Sequence, residues 1–306
     1  MKKLKYICIL LFGVLEINAQ EFPVIGQYIF NEMILNPAST GCHDVFNSQY
    51  SYRKQWLKVP GAPSTQSLAL QSPLRDESVA LGLLFYRDKI GVSSESAIVT
   101  NFAYRLKLGE EQRLVFGFGA GVYFEKINYT QLNLTHGGDM SFMSDSPLGI
   151  SPNFSAGIRY EVEGLEFGVA IPMLLTTRYD NLTEGFQLMH RFSNYNYLLR
   201  SVYNYQVNKD VKMRFGGLFK YHQFMESQLD VTISAQIKQK VEFGGGFRSS
   251  EGIIVFSRLN IIEQLDFGIQ YEIPTTKLYA YTSGTLEVSL IYNGLFNSQA
   301  KNPRVF

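Results

Sequence analysis

Residues 229–237 read Leu-Asp-Val-Thr-Ile-Ser-Ala-Gln-Ile, apolar at every odd position and polar at every even one. A strict period of two belongs to an extended strand whose successive side chains point to opposite faces, so this stretch has one dry face and one wet face. The pattern recurs over 264–272, where Leu265, Phe267, Ile269 and Tyr271 interleave with Gln264, Asp266, Gly268, Gln270 and Glu272. It returns over 241–248, with Val241, Phe243 and Phe247 set against Glu242, Gly244, Gly246 and Arg248, and over 285–292, where Ile291 is the one exception. Glycines and charges share the wet face.

Segments of this kind predict about fourteen strands, over 45–53, 65–71, 78–87, 95–107, 112–126, 152–162, 164–172, 195–206, 210–221, 227–237, 240–248, 252–259, 263–272 and 284–294. Every second connection is tight, as at Leu108-Gly109-Glu110-Glu111, Glu163-Gly164, Asn208-Lys209-Asp210 and Lys238-Gln239, whereas 127–151 and 173–194 are long and polar. An even strand number with short turns at one end and long loops at the other is the pattern of outer-membrane barrels, whose short turns face the periplasm. The expected fold is therefore all-β: a single transmembrane antiparallel β-barrel with both termini periplasmic. A water-soluble β-sandwich alternates in the same way but does not predict the regular short and long connections.

Composition fits this picture. Hydrophobic residues make up 45% and the mean hydropathy is −0.05, yet after Gln20 no run approaches the ~20 apolar residues of a membrane helix. The 19 Tyr and 23 Phe gather at expected strand ends, such as Phe85-Tyr86 and Tyr123-Phe124, where interfacial girdles belong. Met1-Lys2-Lys3-Leu4-Lys5 followed by an apolar stretch to Leu15 reads as a signal peptide over 1–19, cleaved after Ala19. That divides the chain into the signal, a periplasmic N-terminal segment 20–44, a barrel 45–296 and a periplasmic tail 297–306. Cys8 falls in the signal, which leaves Cys42 without an intramolecular partner. A formal net charge of +1 argues against nucleic acid as a partner.

No catalytic or metal constellation stands out, and no cofactor is expected. His43, His136, His190 and His222 lack metal-ligand spacing, and His136-Gly137-Gly138-Asp139 reads as a polar turn. Gly117-Phe118-Gly119-Ala120-Gly121 lies inside a strand with no following helix, so its glycines suit a bending wall or a closely approaching segment rather than a phosphate. Gly244-Gly245-Gly246 reads the same way. The wet faces carry Arg105, Arg159, Glu161, Arg200, Lys212, Arg214, Asp230, Glu242, Asp266 and Glu287, a mixed-sign set expected to pair across the lumen.

Gln27-Tyr28, Asn31, Asn36-Pro37-Ala38-Ser39-Thr40-Gly41, Tyr52-Arg53-Lys54-Gln55-Trp56 and Pro63-Ser64-Thr65 occur in an order that resembles the PorP/SprF family of Bacteroidota outer-membrane proteins. Asp139–Phe142, Pro152-Asn153-Phe154 with Gly157, 168–175, 283–290 and 302–306 resemble further elements of that family. The resemblance implies a non-enzymatic accessory of type IX secretion, either associated with the machinery or supporting export, surface retention or anchoring of a secreted protein such as a gliding adhesin. A passive channel for a small or hydrophobic solute is the alternative.

Partner contacts are expected on the long loops through Phe142, Tyr179, Phe186 and Phe192, and on the rim formed by Arg53, Gln55 and Trp56. Trp56 also suits an interfacial anchor, and Arg53 is expected to face the lumen and its acids. The signature Asn36, Pro37 and Gly41 reads either as a periplasmic docking or plug element or as a turn that starts the first strand.

Overall fold

The computed structural model describes residues 27–74, 78–132, 143–180, 185–189, 191–249 and 251–294. Its strands are β1 (Asn47–Lys54), β2 (Ser64–Pro73), β3 (Val79–Ile90), β4 (Ser93–Lys107), β5 (Gln112–Ile127), β6 (Gly149–Val162), β7 (Leu165–Ile171), β8 (Thr176–Asp180), β9 (Gly185–Met189), β10 (Tyr197–Gln206), β11 (Val211–Tyr221), β12 (Gln228–Ile237), β13 (Val241–Arg248), β14 (Gly252–Ile262), β15 (Leu265–Pro274) and β16 (Thr285–Asn293). All but β8 and β9 close into one antiparallel barrel in which each strand pairs with its neighbours in sequence order. Closure runs from Asn47↔Asn293 to Lys54↔Leu286, so the wall has no free lateral edge to satisfy.

Each of the fourteen expected segments coincides with a barrel strand. The β8–β9 hairpin is the addition: it lies within 173–194, which the sequence reading left as loop, because two five-residue strands are too short to show a period. Connection lengths alternate as expected at one end of the barrel. There Glu163-Gly164 and Lys238-Gln239 turn with positive φ at both residues, the conformation that lets a two-residue link follow strand twist. Asn208 closes another turn by accepting from the Asp210 and Val211 amides at 2.9 and 3.0 Å. The opposite end carries the long links, although Gly91-Val92 and 249–251 are short there too.

The faces are sorted by solvent in the opposite sense to a soluble protein. Val231, Ile233, Phe243, Phe247, Ile253 and Val255 are exposed on the outside, while Asp230, Ser234, Glu242 and Arg248 of the same strands are buried within. An apolar exterior around a polar interior is what lipid on one side and a lumen on the other select. Among the described residues no helix is long and apolar enough to cross a membrane; the crossing elements are the strands.

The N-terminal segment departs from expectation. Residues 20–44 were placed outside the barrel, yet 27–41 lie inside the wall, where Tyr28, Ile29, Phe30, Met33, Ile34, Leu35 and Ala38 are buried. Tyr28, Phe30 and Leu35 pack on Ala170, Leu198, Leu218, Ile254 and Phe256, while Met33 and Ile34 pack on Leu84, Val99 and Tyr123. A segment enclosed on all sides has no wet face and so no period. It meets its own backbone needs with three short 3-10 turns, Gln27–Ile29, Glu32–Ile34 and Pro37–Ser39.

Candidate functional site

The lumen plug is built from side chains that cap their own backbone. Asn31 accepts from the Met33 amide at 3.1 Å and Asn36 from the Ala38 amide at 2.9 Å, each opening a 3-10 turn. Pro37 occupies the first position of the second of these turns, where a missing N–H costs nothing. Asn36 also donates through Nδ2 to the Ile158 carbonyl of β6 at 3.2 Å, which ties the plug to the wall. Gly41 leaves the turn with φ +72°; its amide donates to Gln71 Oε1 at 2.7 Å and its carbonyl accepts from Arg105. An asparagine cap, a preset proline and a left-handed glycine thus turn the chain from the lumen towards β1.

Wall glycines make room for it. A Cβ on Gly117 would lie 1.9 Å from the Ala38 nitrogen and 2.3 Å from the Pro37 carbonyl carbon, and one on Gly157 would lie 2.0 Å from Asn36 Oδ1. At Gly117 the obstacle is backbone, so only glycine admits the plug there; at Gly157 it is the Asn36 amide, which cannot shift without disturbing its bonds to Ala38 and Ile158. Among the described residues, cavities between plug and wall bounded by Tyr28 and Arg214, by Met33 and Tyr123, and by Glu32 and Arg159 measure about 20, 30 and 20 Å³, against the ~10–15 Å³ that one water needs on the same measure.

Charge fixes both ends. Glu32, buried in the plug, pairs with Arg214 at 2.6 Å and with Arg200. Burial works to raise its carboxyl, but Arg200, Arg159 and Arg214 outweigh it and hold Glu32 well below the usual carboxylate range. Tyr28 donates to Asp230 at 2.8 Å; burial and then the Asp230 charge push its phenol far above the ordinary value, so it remains a donor. Asp230 in turn accepts from Arg248 Nε at 3.0 Å, and Arg248 donates to Glu272 at 3.0 Å. Glu272 takes a forked pair of bonds from Arg53 at 2.9 and 2.7 Å, and Arg53 also reaches Glu287 at 3.1 Å. A chain of alternating charges therefore runs from the plug through β12, β13 and β15 to β1.

Most of the expected lumen set joins such pairs. Arg105 meets Asp44 at 2.6 Å, Arg159 meets Glu161 and Glu166 at 3.2 and 2.7 Å, and Glu242 meets Arg258 at 2.8 Å. Sequence reasoning missed Glu32, Arg248 and Glu272 as anchors, although the last two sit on wet faces of alternating strands and were visible as such.

The residues expected to contact a partner are not gathered together. Arg53 is 0% exposed and wholly engaged by acids, so it belongs to the lumen network and not to a surface. Gln55 is buried beside it. Trp56 is exposed at the end of β1, with φ +44° and its amide donating to Thr285 Oγ1 at 3.3 Å. Phe192 stands 72% exposed in the β9–β10 connection and packs edge-on against Tyr195, their centroids 5.5 Å apart. Tyr179 and Phe186 pair across the β8–β9 hairpin, but their side chains, like all of Phe142, His136, Asp139 and His190, lie outside the described residues. The same holds for residues 1–26, which include the expected signal, and for 295–306.

Comparison of folds finds the outer-membrane protein Omp33 of Acinetobacter baumannii at 7% identity and TM-score 0.51, covering 82% of this chain and 98% of that one. The CymD monoaromatic hydrocarbon channel aligns at 11% identity and TM-score 0.52, covering 90% and 95%. At such identities the likeness is one of fold: an outer-membrane β-barrel. Among curated proteins, none matches the sequence. The description "Type IX secretion system membrane protein PorP/SprF" fits residues 17–292, which takes in the plug and all but the last residue of the wall. This outer-membrane barrel belongs to the PorP/SprF family of type IX secretion.

Proposed function

We propose that the chain is a sealed, non-enzymatic accessory of type IX secretion that supports export and surface retention of secreted proteins such as adhesins. The observation that supports this reading is the occupied lumen: residues 27–41 are buried within it and, among the described residues, are packed against the wall on several sides. A conduit would need that segment to leave. The short-turn end is assigned to the periplasm, which directs the hairpin β8–β9, Phe192 and Trp56 outwards, where long connections on a rigid wall present recognition surface without disturbing its hydrogen bonds. The components contacted are a secreted surface protein or the secretion machinery itself.

The passive-channel reading draws on CymD, whose name records a channel on a similar fold. Shortening 178–190 distinguishes the two. On the accessory reading the barrel still inserts and a normally retained surface protein appears in the medium. If the surface protein stays in place, the outward assignment of the partner site fails, and reduced uptake of small solutes by the same cells would favour the passive channel.

A further inference from the structure

The long-loop rim of the wall gathers outward-facing positive charge on β1 to β5, where Lys126 of β5 extends the row through Ser94 and stands 4.0 Å from Asp145. Strand register places Lys54, Ser64 and Lys89 in one cross-strand row of β1, β2 and β3, and Tyr52, Gln66 and Arg87 in the row beneath it. All six alternate with buried residues and therefore face outwards. Arg87 and Lys89 are exposed, and neither has an ion-pair partner among the described residues. The acids beside them face the other way: Asp88, between the two, is buried and accepts from Thr65 at 2.5 Å, and Glu95, opposite Asp88 on β4, accepts from Tyr86. Lys54 is steadied at the rim by donating to the Ala62 carbonyl at 2.9 Å, which leaves two of its ammonium protons uncommitted. Exposed Lys58 lies in the adjoining connection.

On β10 to β15 the outward positions at this end are apolar, as at Leu199, Phe219, Leu229, Phe247, Ile253 and Ile273. Directly below the two polar rows comes the row Tyr50, Leu68 and Phe85, which begins the apolar belt. Cations that face lipid above an apolar strip meet headgroups, and the oxygen-rich group a bare guanidinium and ammonium pair best with is a phosphate. Hydroxyls at Ser64 and an amide at Gln66 add donors between the cations.

We infer that Arg87, Lys89 and Lys54 form a binding site for the phosphate of an outer-leaflet glycolipid whose acyl chains lie along Tyr50, Leu68 and Phe85. The inference rests on the assignment of the long-loop end to the outside but not on any secretion role. Such a site fixes the barrel's depth and rotation in the membrane on the side of β1–β3.

The test is native mass spectrometry of the full chain in detergent, titrated with diphosphorylated lipid A, with the same lipid stripped of phosphate, and with inorganic phosphate. The phosphorylated lipid is expected to bind one to one, the stripped lipid weakly, and free phosphate should not displace it. The double variant Arg87→Gln with Lys89→Gln should weaken binding by about thirtyfold, roughly fivefold per charge. Lys89→Arg should preserve it. Unheated migration on a gel verifies that each variant is a closed barrel. Equal binding of the stripped lipid, displacement by inorganic phosphate, or unchanged binding by the double variant overturns the inference.

Discussion

Replacing Gly117 by alanine adds one carbon to the inner wall of β5, at 1.9 Å from the Ala38 nitrogen and 2.3 Å from the Pro37 carbonyl carbon. Ordinary carbon contacts begin near 3.5 Å, so the turn Pro37–Ser39 must retreat by roughly 1.5 Å. Retreat also breaks the seat of that turn, the Asn36 bond to Ile158 at 3.2 Å. Overpacking against backbone costs about 1–3 kcal/mol, and the lost bond adds about 0.5–1.5 kcal/mol. The wall is held by its own strand pairing, so this strain falls on the plug and shifts it from its seat by a factor of tens or more. Planar-bilayer recordings of the purified protein should show openings in Gly117→Ala that the parent lacks. Gly217→Ala, whose new carbon meets nothing within 4 Å, is the control and should behave as the parent does. Matching, closed traces for Gly117→Ala, with the plug equally protected from protease, would refute the argument that the glycine exists to admit the plug.

Glu272→Gln weakens the hub shared by Arg53 and Arg248, both 0% exposed, and should cost about 3–5 kcal/mol, read as a lower temperature for the gel-mobility change of the heated barrel. Val231→Arg, on the lipid face, should cost about 2–4 kcal/mol near the midplane while Val231→Leu is neutral, measured by folding into vesicles across a urea series. For Glu32 the folded value lies below the ordinary 4.5, so the folded protein binds fewer protons and the ion pair's stabilisation is present above that pH and lost as pH falls towards the folded value. Protease protection of the plug should therefore be flat between about pH 8 and 5 and decline only in stronger acid, and Glu32→Gln should weaken protection at neutral pH and remove the acid-dependent part.

The wall was legible in the sequence because lipid and lumen impose opposite demands on alternate residues. Residues 229–237 show this without exception, and Val231 exposed beside buried Asp230 is its structural counterpart. The plug was not legible, because a segment with neighbours on every side writes no period. Its asparagine, proline and glycine announced a turn but not where that turn sits. Gly117, within its glycine-rich strand, signalled a bending wall or a closely approaching segment; only the fold says that the chain's own residues 37–38 approach it. Arg53 was placed among possible surface contacts as well as towards the lumen, and its acid partner Glu272 lies 219 residues away, beyond any local signal. The β8–β9 hairpin escaped for want of length.

The central claim, a plugged barrel that serves retention of secreted proteins and conducts nothing itself, is tested most directly in a strain lacking this chain. Surface-protein content and outer-membrane permeability to small polar and hydrophobic solutes are measured on the same cells. Loss of one or more secreted proteins from the surface, with their appearance in the medium or retention inside and with unchanged permeability, is the predicted result. An unchanged surface together with reduced solute uptake would contradict the account and assign the barrel to transport.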